Sequence, residues 1–463
     1  MRTKPNILLI VTDQLRSDGL GCGGGWISTP NIDRISREGV YFENCFTTSP
    51  VCIPARLSLA TGLYPHNTGI WDNCMHTLSQ ESPTWMRAIR KAGYRTSLFG
   101  KTHLHPHKGD LRDREDLMRG YGYDEIDEIG GPRACEFLLS HMTARWEARN
   151  YWADYRTDIR DRFATKPHLV RPSTLPLDEY YDCYVGRKAR EYLEGYQRPE
   201  PWFCTISFSG PHEPWDTPEP YASKYAPEDM PAALPPPRDS GKRPKGALDR
   251  MIGNAPRLSE REIAEMRANY AGNVTLIDDQ IGAVFEVMET KGWMDHTVIL
   301  FTSDHGEMNG DAGLIYKSNM LRSAVSVPLL IRTPETATGN LAGSRNASPV
   351  EWIDAGPTLV ELAGGELAHR QFGRSLLPIL NGSQNTCRRD AISEINGEIM
   401  LADEAWKTVL NEGGEVYLLF DRLNDPEERH NLAGSQACQK VETDLKNRVL
   451  QRLLQSQLRL DGK

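Results

Sequence analysis

Asp13, Gln14, Lys101, His103, His212, Asp304 and His305 are side chains whose types and places suit chemistry. Each lies just beyond a short apolar run. Ile7–Val11 leads to Asp13 and Gln14, Arg95–Phe99 to Lys101 and His103, Trp202–Phe208 to His212, and Val298–Thr302 to Asp304 and His305. Open parallel sheets bind ligands beyond the carboxyl ends of their strands, so four such tips on one edge would converge. Asp13, Gln14 and Asp304 offer oxygen donors that suit a hard divalent cation, and His305 offers a nitrogen. From spacing alone a structural reading stands beside this one, with Asp13 capping the next turn and His305 packing against it. A second element, Ser49 to Gly62, reads as a helix that opens near Pro54 and stops at the glycine. Cys52 then sits at a helix N-terminus, where free N–H groups and the dipole favour a developing anion. A lone cysteine there is ordinarily a small core residue, but Arg56 one turn later is an odd companion for an inert thiol.

The elements that must position these groups are legible in outline. The runs above, with Val327–Ile331 as a fifth, are continuous in hydrophobicity, as expected of strands covered on both faces. They alternate with helical segments, which predicts an α/β fold: a large, mostly parallel central sheet flanked by helices. Thr29-Pro30 predicts a helix ending at Gly39, and Ser82-Pro83 another ending at Gly93. Ser259-x-x-Glu262 is a capping box that opens the longest helix, to about Lys291, with Ile263, Met266, Tyr270, Val274, Ile277 and Ile281 as its core stripe. Residues 105–200 read as charged, aromatic insertions over one face, and 227–256 as a proline-rich surface loop. The pattern changes near Phe372. This predicts a catalytic α/β domain over 1–370 and a small α+β subdomain over 371–463, with a short antiparallel sheet and a final helix near Val441–Leu458.

Composition narrows the function classes. The chain has 463 residues, 39% of them hydrophobic and 25% charged, which is ordinary globular usage. Its net charge of -9 argues against broad binding to nucleic acid or an anionic membrane, so an anionic substrate would need basic groups gathered locally. No apolar run approaches the ~18 residues of a membrane span, and no signal peptide is visible, so a cytoplasmic location is expected. The nine cysteines are scattered without a C-x-x-C pair, which excludes a disulfide framework or zinc ribbon.

Cys52-x-Pro54-x-Arg56 followed by Leu59-x-Thr61-Gly62 resembles the motif of type I sulfatases, within the alkaline-phosphatase-like superfamily. Further matches follow in family order: Asp13-Gln14, Gly100-Lys101-x-His103, Pro211-His212-x-Pro214, Ser303-Asp304-His305-Gly306-Glu307, Lys317, and Asp425-Pro426-x-Glu428. The resemblance implies that Cys52 is oxidised to Cα-formylglycine by a formylglycine-generating enzyme. It also implies one divalent cation, Ca2+ before Mn2+, held by Asp13, Gln14, Asp304 and His305 together with the modified Cys52. Arg56 would stabilise the formylglycine oxygen, and Lys101 and Lys317 would neutralise sulfate oxygens. His212 would protonate the leaving alkoxide, and His103 would orient or deprotonate the diol. Asn73 resembles a substrate-side asparagine. Trp215 and Arg133 are candidates for the pocket wall, whereas His105 and His107 read as solvated. Without the family match, Lys317 would read as a surface lysine.

The implied activity is release of sulfate from an aryl, small alkyl or carbohydrate sulfate. Asp13-Gln14 and Asp304-His305 depart from the Asp-Asp and Asp-Asn of many sulfatases. They are similar to the pairs of phosphonate and phosphodiester hydrolases, which gives a second reading with the same nucleophile. A third, a non-catalytic anion-binding protein, would require an unmodified Cys52 or a degraded site.

Overall fold

The computed structural model of the protein describes residues 4–458. Its central sheet has eight strands: β1 (Asn6–Thr12), β2 (Val40–Phe42), β3 (Arg95–Gly100), β4 (Glu125–Glu128), β5 (Trp202–Ser207), β6 (Thr297–Ser303), β7 (Leu329–Arg332) and β8 (Ser344–Asn346). Their order is β8-β2-β7-β6-β1-β5-β3-β4. β1, β5 and β6 are buried along their whole length, which is why they read as unbroken apolar runs. β6, β1, β5, β3 and β4 are successive parallel neighbours, and the four tips singled out above belong to the first four of them.

The fifth predicted run divides. Pro328 has no N–H to give a ladder. Val327 pairs instead with Cys45 in a small separate sheet, and Leu329–Arg332 runs antiparallel to both β6 and β2.

Side-chain alternation along β1 feeds two cores. Leu8 and Ile10 face one that includes Ile32 and Ile35 of α1 (Pro30–Glu38). The same core takes Tyr181 and Val185 of α4 (Tyr181–Gly195), and Tyr270 and Ile281 of α5 (Glu260–Thr290). Ile7, Leu9 and Val11 face the other core, with Leu57 of α2 (Cys52–Thr61), Ile89 of α3 (Trp85–Lys91) and Leu359 of α6 (Ala355–Leu362). α5 opens on the Ser259–Glu262 capping box, and its centre is buried on all sides because it passes between α1 and α4. α3 starts later than the sequence suggests, because the Thr84 side chain, not Ser82, accepts from the helix.

Two sequence expectations need correction. Residues 105–200 are not only insertions: β4 extends the central sheet and α4 packs against α5. The 227–256 stretch is tied down, since Arg238–Asp239 pairs with His430–Asn431 and Ala247–Gly253 is helical. Beyond α6, an antiparallel sheet of β9 (Ala391–Ile395), β10 (Glu398–Ala402), β11 (Trp406–Leu410) and β12 (Val416–Asp421) carries α7 (Gln439–Gln455). Among the described residues, no helix is long and apolar enough to cross a membrane.

Candidate active site

Strand register decides which side chains meet. Thr12 pairs with Ser303, and Val11 and Gly100 both pair with Ser207, so the tips of β1, β6, β5 and β3 end level. Beyond them the backbones stay joined. Asp13 N–H donates to Gly210 O at 3.0 Å, Asp304 N–H to Thr12 O at 3.3 Å, and Lys101 N–H to Ser207 O at 3.0 Å. Gly100 has φ +114°, and a Cβ there would fall 1.9 Å from Ser207 O, so only glycine allows the approach that delivers Lys101. Gln14 adopts φ +71°, which costs on the order of 1–3 kcal/mol and is held by Tyr270 of α5. That hydroxyl accepts from Arg16 N–H and donates to Gln14 O, both at 2.9 Å.

Asp13, Cys52, Asp304 and His305 are all buried, and their donor atoms lie within 4.8 Å of one another. Cys52 Sγ is 3.0 Å from His305 Nε2 and 3.8 Å from Asp13 Oδ1. Asp13 Oδ1 has no closer polar partner than that thiol among the described residues, and such an anionic oxygen calls for a cation. His305 Nδ1 donates to Gly306 O at 3.0 Å, which leaves Nε2 as the ring's ligand atom. Two carboxylates and an imidazole, all below 1% exposed, therefore fit a divalent cation. Gln14 is turned differently. Its amide oxygen accepts from the Lys317 ammonium, and its nitrogen donates to Glu213 at 2.9 Å and also to Glu307.

Arg56 is a brace. Its Nε donates to Asp304 at 2.7 Å and its Nη2 to Asp13 at 3.3 Å, while Nη1 reaches Lys101 O at 2.8 Å and Ser207 Oγ at 3.0 Å. The Lys101 ammonium rests on the same Asp13 oxygen, Oδ2, that Arg56 contacts. Lys317 is buried, not a surface lysine.

Burial alone would raise the carboxyls. The cations Lys101, Arg56 and Lys317, with His212, instead hold Asp13 well below the usual range. Burial and Asp13 oppose ionisation of the Cys52 thiol, yet Lys317, Lys101 and His305 outweigh them and hold it well below its ordinary value. The site favours an anion at residue 52.

The histidines differ. His103 (φ +60°) packs against His107 with ring centroids 4.4 Å apart and planes tilted by 52°, and burial, Lys101 and His107 push it well below its ordinary value. His212 Nδ1 donates to Glu213 O at 2.7 Å and lies 3.2 Å from Glu213 Oε2. His105 and His107 are not solvated. They flank buried Glu128 of β4 at 2.7 and 3.2 Å. Asn73 is exposed, and its Oδ1 accepts from Ile53 N–H at 3.0 Å, so it caps the start of α2. Trp215 stacks on Tyr316 at 5.9 Å, and Arg133 lies 3.2 Å from Glu213.

Sequence reasoning missed Glu213 and Tyr270 as site groups and quoted Glu307 without a role. Glu213 carried a signal, because it is the unspecified residue in Pro211-His212-x-Pro214.

Residues 5–365 match the sulfatase family model, and 310–455 match that of the N-sulphoglucosamine sulphohydrolase C-terminal region. A multifunctional alkaline phosphatase superfamily protein of Trinickia caryophylli, PehA, is 31% identical over 97% of this chain and 95% of its own length. An arylsulfatase of Clostridium perfringens is 28% identical over 94% of this chain and 91% of its own. The solved phosphonate monoester hydrolase of Agrobacterium radiobacter superposes with a TM-score of 0.78 at 24% identity over 99% of each chain.

Proposed function

The chain belongs to the sulfatase family and is a sulfuric ester hydrolase; from that premise we propose that it releases sulfate from a sulfate monoester with residue 52, converted from cysteine to Cα-formylglycine, as the nucleophile. The observation that carries this reading is the place of Cys52: the first residue of α2, buried, and 3.0 Å from His305 Nε2 within the cation-ready cluster. The substrate is a sulfated small molecule or saccharide, and maturation needs a formylglycine-generating enzyme. Residues 1–370 carry the chemistry, with 371–463 as an appended subdomain.

Hydrated, residue 52 supplies a geminal diol, one hydroxyl of which attacks sulfur as the alcohol leaves, while the other then expels sulfate and restores the aldehyde. Asp13, Asp304 and His305, with Gln14 beside them, would hold a divalent cation, Ca2+ before Mn2+, which would supply Lewis acidity toward the sulfate oxygens and the diol.

The protein's own groups do the rest. Arg56 fixes both carboxylates and the tips of β3 and β5 by its four donated bonds. Lys101 and Lys317 balance the sulfate charge as it shifts toward the leaving oxygen. His103, kept neutral, takes the diol proton. His212, with Glu213 behind its Nδ1, gives its Nε2 proton to the leaving alkoxide. Asn73 holds the N-terminus of α2 and thereby residue 52.

The second reading, a phosphonate or phosphodiester hydrolase, is favoured by the Gln14–His305 pair in place of a carboxylate and an amide, and by the likeness in fold to the phosphonate monoester hydrolase of Agrobacterium radiobacter. Paired 4-nitrophenyl sulfate and 4-nitrophenyl phenylphosphonate separate the two. We expect the larger kcat/KM on the sulfate, and a strong preference for the phosphonate would replace the first reading by the second.

A further inference from the structure

The segment Gly130–Arg133 forms a wall of the site. A Cβ on Gly131 would lie 3.2 Å from Lys101 Nζ, so this backbone runs against the sulfate-side ammonium. Buried groups pin it from behind: Ser209 Oγ donates to Gly130 O at 3.2 Å, and Tyr155 OH to Pro132 O at 2.8 Å. Arg133 then reaches across the rim to the loops that carry His212 and Lys317. Its Nη2 is 3.2 Å from Glu213 Oε1 and 3.0 Å from the hydroxyl of Tyr316. The guanidinium also lies over the rings of Phe163 at 3.9 Å and Tyr316 at 5.3 Å.

A salt bridge to Glu213 does not account for this arrangement. The Glu213 carboxylate already has the Gln14 amide and His212 as partners. Arg133 keeps 47% of its side chain exposed, and its Nε and Nη1 donate to no group among the described residues. A guanidinium held between aromatic rings has lost most of its freedom in advance, which cuts the entropic cost of ordering it around a ligand. Free donors on a rigid cation, bonded to Tyr316 next to Lys317 and two residues after the Gly131 that lies against Lys101, suit a second anion on the same substrate.

We propose that Arg133 selects substrates whose alcohol portion carries a second anionic oxyacid group, a carboxylate or another sulfate, bound at the rim while the scissile sulfate occupies the pocket. This deepens the sulfatase reading above and rests on it.

The test uses protein whose residue 52 is oxidised, and esters matched in leaving-group acidity: 4-carboxyphenyl sulfate, 4-carbamoylphenyl sulfate, and their 3-substituted isomers. A benzene-1,3-disulfate ester with its 3-methoxyphenyl sulfate control forms the second-sulfate arm and separates the two anion types. Wild type should favour the better-placed anionic ester over its neutral partner by roughly tenfold in kcat/KM, chiefly through KM. Arg133→Gln should bring that ratio close to one, Arg133→Lys should retain part of it, and added salt should lower it in the wild type. The ratio is internal to each preparation, so partial misfolding does not alter it. If Arg133→Gln does not fold, the wild-type ratio and Arg133→Lys decide. No preference in the wild type, or equal losses on both esters of a pair in Arg133→Gln, overturns the proposal. Failure of wild type to cleave even the neutral esters would instead count against the sulfatase reading itself.

Discussion

His103 and His212 have different surroundings, in keeping with the different tasks proposed for them. Burial, Lys101, His107 and Arg56 disfavour the charged form of His103, which suits the acceptor role proposed for it. His212 Nδ1 donates to Glu213 O and lies 3.2 Å from the Glu213 carboxylate, which fixes the ring with Nε2 free, as the proposed donor requires. His212→Asn should therefore lower kcat/KM by about 10²–10⁴ on an alkyl sulfate and far less on 4-nitrophenyl sulfate, whose leaving oxygen needs no proton. His103→Asn should lower both alike. Rates across a series of leaving groups check this, and equal sensitivity of the two variants would contradict it. The first ring of the site was legible in the sequence because Asp, Gln, Lys and His stand immediately after apolar runs. Glu213, Glu307 and Tyr270 were harder to see. Their work depends on three separate segments meeting around Gln14, and no local pattern encodes that meeting.

Elements place these groups through backbone contacts that tolerate little change. Gly100→Ala would push a methyl group against Ser207 O where β3 and β5 touch. It should cost more than about 3 kcal/mol in chemical denaturation and displace Lys101. Asp182 of α4 holds the loop to His212 by accepting from Ser209 N–H at 2.9 Å and Gly210 N–H at 3.0 Å. Burial pushes its carboxyl up to about 7 despite those donors. Between its ordinary value near 4 and about 7, the folded protein binds more protons than the unfolded chain. Its contribution to stability therefore falls as pH rises through that window. Asp182→Asn should remove the slope and gain stability over wild type at about pH 8 relative to about pH 5, read from urea midpoints. An unchanged difference between the two pH values would contradict this.

At this scale the core strands were readable because burial on both faces leaves an unbroken apolar run. β4 was not, since Glu-Ile-Asp-Glu at a sheet edge carries no such signal. The division at Pro328 was visible in residue type, but its consequence, pairing with Cys45, depends on a partner far away in sequence.

At the scale of the whole molecule, the C-terminal sheet is fastened to the loop that follows Lys317. Lys407 of β11 and Glu428 form a buried ion pair, Lys407 also donates to Met320 O at 2.7 Å, and Glu428 accepts from Arg322 N–H at 2.9 Å. Removing one partner leaves an uncompensated buried charge. Glu428→Ala should cost about 3–5 kcal/mol, whereas an apolar replacement of both residues should lose much less. Equal losses in denaturant titrations would mean that the pair does not act as a clasp. A second fastening joins Arg388 and Arg452 to Glu351 just before α6, with Tyr64 on the same carboxylate.

The most direct measurement is mass spectrometry of the peptide Glu38–Arg56, in parallel with sulfate release, on samples made with different amounts of converting enzyme. Turnover should rise in proportion to the fraction in which the CH2SH of residue 52 has become CHO, and should vanish in Cys52→Ala. Full turnover by protein whose Cys52 remains a thiol would contradict the account.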